Sequence, residues 1–186
     1  MSSCVCCCPT VWDLDRVEVI FMNHPGGFSR RIYHKFVKAT TNMAYVADSF
    51  MVYDHDDNMT VNVTLIGVPV AQPRPRIKRL SNNRVIVYDP SQPKKTKCRS
   101  AVRLSLQEIG INQRPIFSGQ EPLSVTAYFY VSSNAKDLDN MLKFLLDVLE
   151  GPVYLNDSSS SICHIEAHKI LCPSAEQKTR VVIENV

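Results

Sequence analysis

The alternation of apolar and polar residues predicts a β-sheet over the C-terminal part of the chain. Residues 59–70 alternate valine and leucine with asparagine and threonine, which is typical of a strand with one buried face. Residues 123–131 are rich in β-branched and aromatic side chains and predict a central strand. Residues 162–171 and 179–184 predict two strands that complete the sheet.

Two helices and a hairpin are predicted between these strands. Residues 77–80 and 85–88 predict a hairpin, because the Ser-Asn-Asn-Arg sequence between them favours a turn. Residues 93–109 predict a helix that ends at Gly110. We expect its basic residues to form an exposed face: Lys94, Lys95, Lys97, Arg99 and Arg103.

The second helix follows the central strand and carries a regular apolar stripe. Its apolar positions recur every three or four residues: Leu138, Met141, Leu142, Leu145 and Leu149. Glu150-Gly151-Pro152 then ends the helix. The predicted fold class is α+β, with a mixed β-sheet flanked by two helices over residues 59–186. Residues 1–58 form an N-terminal extension of unknown role, in which residues 28–50 contain an amphipathic helix and residues 54–58 a linker.

Acidic residues are concentrated at the start of the second helix. Residues two positions apart in a regular helix point about 200° from each other, so Asp137 and Asp139 can share a ligand only at the helix N-terminus. Lys143 stands one turn beyond Asp139, Asp147 continues the row, and Asp157 returns after a short turn. Carboxylates and an amine in this arrangement suit magnesium-dependent phosphodiester chemistry. Plain helix capping and a solvated row of ion pairs remain alternative interpretations.

Basic residues are concentrated in one segment. Ten of the 21 basic residues lie in residues 74–103, against the single acid Asp89. Such segregation indicates a polyanionic partner. We expect DNA contacts from four basic side chains on and before the hairpin, which we call the basic arms: Arg74, Arg76, Lys78 and Arg79. A solvated basic hairpin is the alternative.

Composition narrows the class of protein. No apolar run approaches the roughly 20 residues of a membrane span, and the first residues do not resemble a secretory signal. The seven cysteines, four of them clustered in residues 4–8, suit neither a disulfide framework nor a zinc ribbon. We therefore expect a soluble intracellular protein in a reducing compartment, with the nucleus or a DNA-containing organelle as candidates. His164 and His168 are interpreted as partly exposed sheet residues.

Several motifs resemble the RusA family of Holliday-junction resolvases. The central motif consists of Asp137-Leu138-Asp139-Asn140-x-x-Lys143, Leu146-Asp147-x-Leu149-x-Gly151 and Tyr154-x-x-Asp157. Val68-Pro69-x-x-Gln72-Pro73-Arg74-Pro75-Arg76 resembles the opening strand of the family, and Tyr88-Asp89 its next landmark. The resemblance implies a Mg²⁺-dependent, dimeric endonuclease that cuts four-way DNA junctions. It also implies that Asp137, Asp139 and Asp157 are metal ligands and that Lys143 is their catalytic partner.

Two departures from the family pattern favour a rival function. Lys136 stands where the family usually has proline, and Asn156 stands where it often has aspartate. A non-catalytic junction-binding protein derived from a resolvase would keep the basic hairpin without cutting, and a nuclease for flaps or single strands would share every site residue. For the expected homodimer, residues 59–70 and 162–171 are the candidate interface strands.

Overall fold

A seven-stranded mixed sheet forms the centre of the protein. The computed structural model describes residues 18–23, 29–35, 46–53, 58–112, 115–118, 121–155 and 162–186. The strands of this sheet are β1 (Glu18–Asn23), β2 (Ser29–Lys35), β3 (Val46–Tyr53), β4 (Met59–Ile66), β7 (Leu123–Val131), β8 (Ile162–Leu171) and β9 (Lys178–Asn185). They lie in the order β1-β2-β3-β4-β9-β7-β8.

Two helices cover one face of this sheet, which confirms the predicted α+β class. Helix α1 (Gln92–Glu108) contacts β3 and β4, and helix α2 (Leu138–Leu149) contacts α1 and β8. Strands β7 and β8 are parallel, whereas the other neighbours are antiparallel. Because parallel strands need a crossover connection, α2 lies between β7 and β8 in the chain and packs on the sheet.

The core lies between the sheet and the helices. In β7 every second residue from Leu123 to Val131 is buried, as the alternation predicts. From α2, the side chains of Met141, Leu145 and Leu149 are at most 1% exposed. No helix in the described residues is long and apolar enough to cross a membrane.

The helix predicted within residues 28–50 is wrong for residues 29–35 and 46–50, and residues 36–45 lie outside the described residues. Residues 29–35 and 46–50 belong to strands β2 and β3, and β3 pairs with β4 along its whole length. Ala47, Ser49 and Met51 are buried at every second position, so the apolar residues here follow the period of a strand. The predicted linker, apart from Asn58, lies outside the described residues. The sheet continues across the expected boundary at residue 59, and the division into two parts stays a prediction.

The position of each strand in the sheet also corrects one interface candidate. Strand β4 lies between β3 and β9, so residues 59–66 are in the interior of the sheet. Strand β8 lies at an edge, where one side of its backbone has no neighbouring strand among the described residues. Of the two candidate strands, β8 alone can be extended by a second chain.

The predicted hairpin forms a small sheet of its own. Strands β5 (Arg76–Arg79) and β6 (Val85–Tyr88) pair with each other, and every residue in them is exposed. Asn83 adopts a positive φ of 57° in the connecting turn, a conformation that asparagine tolerates well. A two-stranded hairpin is only marginally stable in water, so its attachment to the rest of the protein matters.

That attachment is made by Lys95, which is buried rather than exposed as predicted. Lys95 is 4% exposed, and its ammonium group lies 2.5 Å from Asp89 Oδ2, at the base of the hairpin. The same ammonium group donates to Asp147 Oδ2 on α2. Burial lowers its pKa, but the hydrogen bonds that it donates to the two carboxylates outweigh burial and raise the pKa above the ordinary value. An ammonium group with two carboxylate partners stays charged in this position.

Two further side chains complete this cluster. In one orientation of its side-chain amide, Gln72 forms hydrogen bonds with two members of the cluster. Its nitrogen then donates to Asp147 Oδ2 at 3.2 Å, and its oxygen accepts from the Lys95 ammonium at 3.1 Å. All three ammonium hydrogens of Lys95 then have acceptors. Asp89 Oδ1 accepts from the backbone N–H of Ser91 at 2.8 Å, at the start of α1. The cluster, which we call the Lys95 cluster (Gln72, Asp89, Lys95 and Asp147), joins the hairpin base, α1 and α2.

The first prediction concerns the stability supplied by Lys95. Lys95→Met leaves two partly buried carboxylates without their cation, so we expect the free energy of unfolding to fall by about 3 kcal/mol. Lys97→Met, which removes an exposed lysine from the same helix, should change it by less than about 0.5 kcal/mol. Denaturant unfolding of both variants checks this, and equal effects would contradict the account.

The second prediction concerns pH. Burial raises the pKa of Asp89, but hydrogen bonds from Lys95 and Ser91 outweigh it and leave the pKa below its ordinary value. Stability from Asp89 is therefore present above about pH 4 and is lost as the pH falls further. Stability from the raised pKa of Lys95 is present below about pH 10 and is lost above it. The free energy of unfolding of Lys95→Met should change less with pH than that of the wild type, both in acid and in alkali. Parallel pH profiles of the two proteins would contradict this.

Candidate active site

The N-terminus of α2 presents two carboxylates to solvent. Asp137 is the N-cap residue, with φ −73° and ψ 136°, yet its side chain makes no capping hydrogen bond. Asp139 lies in the first turn, and both side chains are exposed. The two positions match the prediction from their spacing. Because the Asp137 carboxylate is not used for capping, the plain capping interpretation does not account for it.

The donor atoms at this end of α2 suit a hard divalent cation. The carboxylate oxygens of Asp137 and Asp139 are ligands of the type that Mg²⁺ prefers. Asn140 Nδ2 lies 3.3 Å from Asp137 Oδ2 and donates to it, which helps to orient that carboxylate. Among the described residues, no three histidine, cysteine, aspartate or glutamate side chains form a metal-binding group. The predicted third ligand, Asp157, lies outside the described residues, as does Asn156.

The segment after α2 is well anchored up to residue 155. The Tyr154 side chain is buried, and its hydroxyl donates to the Leu146 carbonyl at 2.8 Å. The Gly151 N–H donates to the Tyr154 carbonyl at 2.7 Å, and Gly151 has a φ of +89°, a conformation that favours glycine. Asp157 follows this anchored turn by three residues in the sequence, so its return towards α2 stays a prediction.

Lys143 projects from α2 one turn beyond Asp139. Its side chain is exposed, and it forms no ion pair with any other residue in the described part of the chain. Asp147 instead binds Lys95, and the Arg99 guanidinium donates to the Asp147 backbone carbonyl. The interpretation of Asp139, Lys143 and Asp147 as a solvated row of ion pairs is therefore wrong for Asp147. The Lys143 ammonium group is not paired with a carboxylate of any described residue.

The segment that precedes the hairpin lies against the start of α2. The Gln72 N–H donates to the Asn140 carbonyl at 2.9 Å, and the Lys136 ammonium donates to the Pro69 carbonyl. The Lys169 ammonium on β8 donates to the Lys136 carbonyl at 2.8 Å. Burial lowers the pKa of Lys136, and the nearby charge of Lys94 lowers it further. These contacts place the chain leading to the basic arms beside the carboxylates.

The predicted basic arms are all exposed. Arg74 lies before the hairpin, and the other three lie in β5. Because side chains alternate along a strand, Arg76 and Lys78 share one face of the hairpin and Arg79 points to the other. The basic arms therefore point in two directions, and one DNA backbone on a single face of the hairpin cannot contact all of them.

The sequence does not predict the buried contacts of Lys95 with Gln72 and Asp147. The helical pattern places Lys95 on the exposed face of α1, and Gln72 has no predicted role beyond the family motif. A signal for Lys95 exists, because Asp89 is the lone acid of the basic segment and stands six residues before it. The identity of the second carboxylate, Asp147, depends on tertiary packing and has no local signal.

The remaining reactive side chains do not form a second site in the described part of the chain. The His168 ring stacks on Tyr128 with 4.9 Å between centroids, and its Nε2 lies 3.0 Å from Glu166 Oε1. This confirms the interpretation of His168 as a partly exposed sheet residue. Burial raises the pKa of the Cys98 thiol to about 12, with a smaller opposing effect from Lys94, so this thiol stays protonated and is a poor nucleophile.

Comparison with protein families gives a match over more than half of the chain. A search of curated proteins finds no match to this chain. The family model described as Endodeoxyribonuclease RusA matches residues 67–184, which is more than half of the chain. The match begins at the segment that lies against α2 and includes the hairpin, both helices and strands β7 to β9. This protein therefore belongs to the RusA family of endodeoxyribonucleases.

Proposed function

We propose that this protein is a magnesium-dependent endonuclease that resolves Holliday junctions or related branched DNA in recombination and repair. The observation that carries the proposal is the N-terminus of α2, where Asp137 occupies the N-cap without using its carboxylate as a cap. Family membership supports nuclease activity on junction DNA. The oxygen donors of Asp137 and Asp139, both exposed, support a divalent cation.

The residues have separate roles in this proposal. Asp137, Asp139 and Asp157 hold Mg²⁺, which when bound activates water and offsets the charge on the scissile phosphate. Lys143, one turn from Asp139, donates hydrogen bonds to the phosphate oxygens as negative charge develops on them. The positive end of the helix dipole at this N-terminus favours negatively charged groups there.

The proposed DNA path begins at the exposed arms. Arg76 and Lys78 share one face of the hairpin, and Arg74 precedes it in the segment that lies against α2. Cations in these positions hold backbone phosphates while one phosphate lies at the carboxylates. The hairpin base is joined to α2 through Asp89, Lys95 and Asp147, so phosphate contacts at the hairpin can position DNA at the helix.

A non-catalytic junction binder is the second candidate. Asn156, which offers an amide oxygen without charge, and Lys136, which brings a positive charge next to Asp137, both weaken cation binding in comparison with aspartate and proline. Such a protein would keep the basic arms and the Lys95 cluster. A nuclease for flaps or single strands would use the same residues as the resolvase and differs from it only in substrate.

We also propose that the active species is a symmetric homodimer. A four-way junction has two equivalent strands to cut about a two-fold axis, and each chain offers one acidic centre. Strand β8 lies at an edge of the sheet and is the candidate interface. Its exposed residues include Ile165, 44% exposed, and Leu171, 62% exposed, which a second chain would cover.

The third prediction tests the nuclease. With a labelled four-way junction, we expect cutting in Mg²⁺, no cutting in EDTA, and a loss of at least about 100-fold in rate for Asp139→Asn. Junction binding by Asp139→Asn should persist, because the basic arms are intact. Glu184→Gln, which changes an exposed residue of β9 outside both the start of α2 and the β8 edge, serves as the control. Binding without cutting by the wild type would favour the non-catalytic candidate, and cutting of flaps alone would favour the third.

The fourth prediction tests the DNA path. The double variant Arg76→Ala, Lys78→Ala should weaken junction binding and reduce the slope of log affinity against log salt by about 0.9 for each phosphate that the two side chains neutralise in the wild type. Arg79→Ala, on the opposite face of the hairpin, serves as the comparison and should have a smaller effect. If both variants keep the wild-type slope, the hairpin does not lie on the DNA path.

The fifth prediction concerns assembly. Sedimentation at micromolar protein should give about twice the 21.0 kDa mass of the chain. Ile165→Lys, a charge placed on the edge strand, should shift the mass to that of one chain without unfolding the protein. A monomeric wild type that makes paired cuts within one binding event would contradict the homodimer.

A further inference from the structure

An open groove lies beside the start of α2, outside the predicted DNA arms. Its volume is about 410 Å³, and it is lined by residues 66–71, by Lys94 of α1 and by Lys136. Lys136 immediately precedes Asp137 in the chain, so one end of the groove adjoins the carboxylates of the candidate active site. The basic residues that were predicted to contact DNA are not among its lining residues.

The groove is lined by two lysines and by no acidic residue among the described residues. Neither Lys94 nor Lys136 forms an ion pair with another residue in the described part of the chain. One Lys136 hydrogen is donated to the Pro69 carbonyl, which leaves two for a ligand. The Lys169 ammonium donates to the Lys136 carbonyl but does not line the groove. Two lysine side chains at one opening favour an anion there.

The floor of the groove is apolar. Ile66 is 49% exposed and Val68 is 54% exposed, and both line the groove. Between them Gly67 has a φ of +113° and no heavy atom within 4 Å of where a Cβ would stand, so the middle of the floor is open. A free inorganic anion has no apolar part to cover these side chains. A sugar–phosphate backbone has both parts, because its sugar carbons can lie on the floor while a phosphate meets the ammonium groups.

We propose that this groove binds a backbone phosphate of the DNA strand that runs past the α2 carboxylates, held by Lys94 and Lys136. The inference rests on the proposed function and adds a phosphate site that is separate from the hairpin. The strand would then be held at two separate sites, the hairpin arms and the groove. Binding at the groove therefore aligns the strand with the carboxylates.

The test measures junction binding in EDTA by proteins that all carry Asp139→Asn, so that no cutting occurs. In this background we compare the pair Lys94→Gln, Lys136→Gln with Arg180→Gln, which removes a charge from the opposite face of the sheet. Fluorescence anisotropy from about 50 to 200 mM salt gives the slope of log affinity against log salt. Thermal unfolding of each variant establishes that it is folded.

We expect the lysine pair to reduce the slope by about 0.9, the value for one duplex phosphate contact. The conservative pair Lys94→Arg, Lys136→Arg should restore it, because the charges return. Arg180→Gln should keep the slope of the background protein. A slope for the lysine pair equal to that for Arg180→Gln would overturn the proposal.

Two further outcomes separate this proposal from others. If inorganic phosphate raises the melting temperature through the two lysines while the DNA slope is unchanged, the groove is a small-anion site and the proposal is overturned. If the slope falls as expected but the protein binds plain duplex as tightly as a four-way junction, the groove is supported and the junction specificity of the proposed function is contradicted.

Discussion

The buried ammonium group of Lys95 is the constraint on which the arrangement of the site depends. A charge in this position is tolerated only with partners, and it finds them on two different elements: Asp89 at the hairpin base and Asp147 on α2. Since the cost of an unpaired buried charge is several kcal/mol, α1, α2 and the hairpin base are held in one relative position. The hairpin that carries the exposed arms and the helix that carries the exposed carboxylates are thereby joined through one buried cluster.

The carboxylates themselves depend on local chain geometry. Asp137 adopts an extended conformation as the N-cap, and Asp139 lies in the first turn of α2, so two residues that would diverge within a helix can both face solvent at its start. The crossover between the parallel strands β7 and β8 places this N-terminus at one end of the sheet. Residues 69–72 lie against the same end, because the Gln72 N–H donates to the Asn140 carbonyl and the Lys136 ammonium donates to the Pro69 carbonyl. In the proposed function, DNA would contact the protein at this end of the sheet.

Much of the fold follows from local sequence, and the failures have a common cause. Strand β7 was predicted with its observed bounds because its alternation is regular, and α2 was predicted because its apolar stripe fits the helical period. Strand β3 is not predicted from the sequence, because its apolar residues also fit the spacing of a helix. Its pairing with β4, a tertiary contact, favours the strand over the helix. Lys95 was misplaced because a lysine in a helix is normally solvated, and only the two carboxylates brought by the tertiary fold make its burial favourable.

The central claim is that the carboxylates at the start of α2, with Asp157, hold a divalent cation. The most direct measurement is calorimetric titration of Mn²⁺, a probe for an oxygen-ligand site, into the wild type, Asp137→Asn and Asp157→Asn, with Glu184→Gln as control. The account predicts that both aspartate variants bind the ion at least about tenfold more weakly, while the control binds it as the wild type does. Equal affinity in all four proteins would contradict the claim.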